Sequence, residues 1–100
     1  MLEYFKDQIK DELNGAMSYI RLAMETKVSH PEWSSMFVEM SLMEVDHATN
    51  LYKMFTDETG PLMESYSETP EYISKIVKEV ISFYSKHYAE VMYMHDAYKK

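Results

Sequence analysis

The 100-residue chain predicts an all-α protein: a long antiparallel helical hairpin followed by a third long helix. Two observations carry this. Glycine and proline are scarce, two and three residues, and all but Gly15 fall at residue 31 or between 60 and 70, leaving long stretches that no proline interrupts. Within those stretches apolar residues recur at alternating intervals of three and four, the period of a helix that buries one face.

The first helix is expected over about residues 2–28, with a seam of Leu2, Phe5, Ile9, Glu12, Ala16, Tyr19 and Ala23. Ser29-His30-Pro31-Glu32 then combines a Ser-x-x-Glu capping box with proline in the first turn, which opens a second helix. That helix is expected over about 31–58, with a seam of Trp33, Phe37, Met40, Glu44, His47, Leu51 and Met54. Gly60-Pro61 reads as its stop, and Thr69 before Pro70 as the N-cap of a third helix over about 70–98, with a loop between. The third seam runs Ile73, Val77, Val80, Tyr84, His87, Val91, Met94, Tyr98. A hydrophobic content of 46% is enough for one helical domain spanning residues 1–100.

Composition narrows the function. Seventeen acidic residues against ten basic give a net charge of -7, which disfavours a nucleic-acid partner and suits small cations. No cysteine is present, so thiolate metal sites and iron-sulfur clusters are excluded and any metal takes nitrogen and oxygen ligands. The start of the sequence is charged from its third residue, and its longest apolar runs are far too short for a membrane span. A cytoplasmic protein without membrane contact is expected.

Two carboxylates and an imidazole thus occupy seam positions. Glu44 and His47 are one turn apart on one face. Glu12 and His47 lie symmetrically about the 29–32 turn, each roughly 26 Å from it at 1.5 Å per residue, so an antiparallel hairpin brings them level. Carboxylates buried without partners are costly, and none of the three seams offers a lysine or arginine. A bound cation resolves the conflict, and the donor set suits iron or manganese, with zinc also compatible. A rotation of the seam by one position is the alternative, leaving Glu44 solvated and His47 an ordinary core histidine.

At these residues the sequence resembles the ferritin-like superfamily, specifically one half of a rubrerythrin-type di-iron bundle. The likeness rests on Glu12-Leu13-Asn14-Gly15-Ala16-Met17-Ser18-Tyr19 in the first helix and Glu44-Val45-Asp46-His47 in the second. It implies Glu12, Glu44 and His47 as iron ligands, with Tyr19 close enough to take part in catalysis. A complete site of that class needs two such sets, and His30, His87 and His95 lack a glutamate three residues before them. The resemblance therefore implies a homodimer, or a higher homo-oligomer, whose two hairpins assemble a ferritin-like four-helix bundle around a di-iron site. Encapsulated ferritins share this short layout. Their shell-docking extension has no counterpart in His95-Asp96-Ala97-Tyr98-Lys99-Lys100, so neither a shell nor an electron donor is evident here. The activity implied is ferroxidase-type oxidation of Fe(II). The alternatives are peroxide reduction in the rubrerythrin manner, which without cysteine needs an external electron donor, and a non-catalytic helical oligomerisation module.

Other features read more plainly. Met36, Met40 and Met43 follow helical spacing and suit adaptable packing better than a soft-metal stripe. His87 and Glu90 could add a ligand, although a hydroxyl-satisfied histidine is the commoner arrangement. Gly15, one turn past Glu12, permits close approach or is simply tolerated.

Overall fold

The computed structural model describes residues 1–65 and 70–100, and among these every regular element is a helix. α1 spans Leu2–Thr26, α2 Pro31–Ser65 and α3 Glu71–Lys99. α1 buries Ile9, Leu13, Ala16, Ile20 and Ala23, whose alternating four-three spacing is that of a coiled-coil seam. His30 accepts the amide of Ser34 and so stands at the N-cap position of α2, with Pro31 first in the helix. The expected capping box does not form, because the Ser29 hydroxyl lies 3.0 Å from His30 Nδ1 instead.

α2 also overruns its expected end. Gly60-Pro61 does not stop it, and no described residue has a positive φ. A proline removes one donor from a helix already propagating, while Phe55 and Thr59 before it are buried and Leu62 after it is partly so. The expected loop is therefore shorter on its N-terminal side, and the Thr69 cap lies outside the described residues. Pro70 holds the N-cap position of α3.

α1 and α2 run antiparallel in a register fixed by two buried serines. Ser34 Oγ donates to the Ala23 carbonyl at 2.5 Å, and Ser41 Oγ to the Ala16 carbonyl at 2.7 Å. α3 returns parallel to α1: Lys6 pairs with Glu79 at 3.7 Å, Lys10 lies over the Phe83 ring, and Lys27 donates to the Tyr98 carbonyl. The main core gathers Ile9, Leu13, Ala48, Phe55, Ile76 and Val80. The result is a slab measuring 58 × 19 × 15 Å.

The α2 seam differs from the sequence expectation by about one residue. Ser34, Ser41, Val45, Ala48, Phe55 and Thr59 face inward, whereas Trp33, Met40, His47 and Met54 are exposed. α2 carries two apolar rows, and the bulkier one draws attention in the sequence. Close packing of three helices selects the row of small residues, and the bulky row is left on the open face of the hairpin. In α1 the same effect buries Leu13 and Ile20 more deeply than Glu12 and Tyr19. In α3 the buried histidine is His95 rather than the expected His87, which is only partly covered and pairs with Glu90 at 3.4 Å.

Candidate metal centre

Glu12, Glu44 and His47 meet on the open face, each offering a ligand atom within 4.8 Å of the others. The serine-set register brings the middle of α1 beside the middle of α2, and the one-turn spacing of Glu44 and His47 aims both at Glu12. His47 Nδ1 lies 3.4 Å from Glu12 Oε2, and the imidazole is half-exposed. Glu12 Oε2 itself is buried and has no hydrogen-bond partner, so the 3.4 Å approach is a charge contact without hydrogen-bond geometry.

Glu44 is held well above the ordinary 4.5, up to about 7. The first cause is a hydrogen bond shared with Glu12, then burial, then the Glu12 charge, with His47 opposing. Two carboxylates this close cannot both ionise comfortably without a cation, and a proton fills that role. Gly15 faces this carboxylate: a Cβ there would sit 3.4 Å from Glu44 Oε2, in van der Waals contact with it. The glycine keeps a methyl group from desolvating the carboxylate.

This arrangement fits a divalent transition metal on three counts. The buried Glu12 oxygen lacks a partner, the proton on the carboxylate pair is displaceable, and the donors are hard oxygen plus imidazole nitrogen. Three protein ligands on a half-exposed surface also leave the coordination shell open on the solvent side.

Among known families, the rubrerythrin family model matches residues 3–100. The chain belongs to the rubrerythrin family. The rubrerythrin family typically binds iron, and Glu12, Glu44 and His47 form the candidate metal site of this chain. No curated protein and no solved structure matches the chain.

Other sequence-selected residues fall nearby or apart. Tyr19 stacks on Phe37 at 6.3 Å and makes no hydrogen bond among the described residues. Met36, Met40 and Met43 line the open face beside the centre. His87, tilted 33° against Phe83 at 4.0 Å, belongs to the α1–α3 side and joins no metal-ligating group among the described residues. Sequence reasoning missed His95, whose Nε2 lies 2.9 Å from Ser41 Oγ, and the matching contact of the Tyr98 hydroxyl with Ser34 Oγ at 2.7 Å. A signal existed: Ser34 and Ser41 recur at seven residues, as do Ala16 and Ala23 facing them. Among the described residues no helix is long and apolar enough to cross a membrane.

Proposed function

We propose that two copies of this chain pair through their open α1–α2 faces and hold a di-iron centre that oxidises Fe(II), a ferroxidase-type oxidoreductase. The observation that carries this reading is a half-set of ligands on a helix whose large apolar side chains are left uncovered: Trp33, Met36, Met40, Met43 and Met54, spread along α2 to either side of Glu44 and His47, are all exposed. The chain exposes 6661 Å², about 700 Å² more than a compact protein of its mass presents. That excess is close to the roughly 800 Å² each partner buries in a standard interface.

When bound, a pair of irons supplies two electrons together to dioxygen or peroxide. The rest is done by side chains. Glu12 and Glu44 give up their shared proton as the cation enters, and Glu12 Oε2 gains its missing partner. Gly15 leaves Glu44 room to shift. The α2 helix carries Glu32, Glu39, Asp46, Asp57, Glu58 and Glu64 besides Glu44, against Lys53 alone, so its surface concentrates cations. Tyr19, stacked on Phe37 about two turns along α1 from Glu12, is the proposed catalytic tyrosine, donating an electron to the centre. Manganese or zinc would suit the same donors.

Elemental analysis of a size-exclusion peak of known mass tests this directly. Fe(II) added to apo protein in air should be oxidised with saturation near two irons per two chains, and Glu44→Ala should abolish it. Faster turnover with peroxide than with dioxygen would favour the peroxide reductase, which family membership also supports. Absence of bound transition metal, with a dimer mass indifferent to chelator and to Glu44→Ala, would leave the non-catalytic module.

A further inference from the structure

Tyr52 on α2 and Tyr84 on α3 lie face to face, with ring centroids 4.0 Å apart and planes within 6°. Tyr88, one turn along α3, stacks on Tyr84 at 5.4 Å and 26°, and reaches the surface. Elsewhere in the same chain Tyr4, Phe5 and Phe55 meet edge-on, at 73° and 67°, an arrangement the ring quadrupoles favour. Other rings of the chain stack as well, Tyr19 on Phe37 at 19° and His30 on Trp33 at 11°, but this column joins three phenols, from α2 to the surface of α3. The phenol of Tyr84 also has a defined proton position. Thr49 Oγ1 donates its hydrogen to the Val45 carbonyl at 2.9 Å, so at 3.1 Å the Tyr84 hydroxyl donates to Thr49. Val45 lies between Glu44 and His47 in α2, and Thr49 two residues beyond His47. The Tyr84 hydroxyl thus docks on the same stretch of helix that carries two of the candidate ligands.

We propose that Tyr52, Tyr84 and Tyr88 form a one-electron relay joining the metal centre to a soluble organic one-electron reductant that meets the protein at Tyr88. The proposal rests on reading the centre as an oxidising site. Fe(II) is its own electron source in ferroxidase-type oxidation, but repeated turnover with peroxide on the bound irons needs electrons from elsewhere, and the chain has no cysteine to supply them. The Tyr52–Tyr84 pair would give one electron to the oxidised centre, and its overlapping rings would share the positive charge until the proton leaves. The phenolic proton passes to water. One electron from the reductant, entering at Tyr88, refills the pair, and the proton returns. Each cycle leaves the tyrosines unchanged, the reductant oxidised by one electron and the centre reduced by one.

Tyr52→Phe and Tyr84→Phe retain the rings while removing the readily oxidised phenols, so a purely structural column would barely notice them. Tyr72→Phe, at an exposed ring outside the column, is the control. In apo protein, flash oxidation by a photogenerated ruthenium(III) complex should give a low-energy charge-resonance absorption from the overlapped pair. That band should be present in wild type and Tyr72→Phe and lost in Tyr52→Phe. In iron-loaded protein given peroxide and ascorbate, ascorbate consumption should fall about tenfold in Tyr52→Phe and Tyr84→Phe, with the first round of Fe(II) oxidation unchanged. A band that survives Tyr52→Phe, or ascorbate consumption equal to wild type in both variants, overturns the relay. A wild-type protein that oxidises no iron overturns the reading of the centre and the relay's destination with it, while the apo-protein band separately decides whether the pair shares charge.

Discussion

Replacing Ser41 by alanine should destabilise the protein well beyond the loss of one average hydrogen bond. Ser41 is fully buried, and its hydroxyl both donates to the Ala16 carbonyl and accepts from His95 Nε2. The Ala16 carbonyl can keep its helical partner, but the His95 N–H, 4% exposed, would have none. An orphaned buried donor costs about 1–3 kcal/mol, so a loss of about 2 kcal/mol is expected, or a fall in Tm on the order of 10 °C for a domain of this size. His95→Leu removes the donor itself. The double variant should then be less damaged than its singles suggest, with a coupling of about 1–2 kcal/mol. Urea and thermal unfolding of apo protein at one fixed concentration, followed by circular dichroism, measures the cycle. Additivity of the two single changes within about 0.5 kcal/mol would refute the reasoning.

His95 also predicts a pH dependence: burial first, then Lys99, lowers it from the ordinary 6.5 against the pull of Asp96. The unfolded chain therefore takes up this proton before the native one, so the contribution is complete above about pH 6.5 and lost as pH falls through the native value; unfolding titrations should show this slope in wild type and not in His95→Leu. Glu44 acts in the opposite sense. Raised to about 7 from 4.5, it favours the apo fold most below pH 4.5 and loses that contribution as pH climbs to 7. Glu44→Gln should flatten this slope, with a stability gain on the order of 1 kcal/mol at pH 8, given solvent screening at a partly exposed site. Because metal must displace the shared proton, affinity measured by competition should drop up to about tenfold per pH unit below 7 and level off above it. Gly15→Ala should stabilise apo α1 by about 1 kcal/mol yet weaken metal binding, since the new methyl would lie 3.4 Å from Glu44 Oε2; equal affinity in calorimetric titration would contradict that role.

The three helices and their order were legible because punctuation and period agree, and the family resemblance carried by Glu12, Glu44 and His47 was confirmed. Their convergence followed from chain length about the 29–32 turn and holds at 4.8 Å. The failures share a cause. Choosing the bulkiest apolar row placed Trp33, Met40 and Met54 in the core, whereas the helices come together over Ser34, Ser41 and Ala48. Hydrophobicity scales do not reveal that a hydroxyl bonded to a facing carbonyl is a core residue. Gly60-Pro61 misled because breaker residues act on isolated helices, and α2 is propped by α1 and α3 through Phe55 and Thr59.

The two serine-to-carbonyl bonds work as a vernier. A helix presents a carbonyl every 1.5 Å along its axis, so an apolar seam alone would tolerate sliding. Teeth at Ser34 and Ser41, seven residues apart, engage Ala23 and Ala16 at the same pitch, and sliding by a single turn would set both serines against the bulkier Ile20 and Leu13. The alignment of the three ligands is thus calibrated by Ser41, one turn before Glu44, and Ser34, about three turns before it.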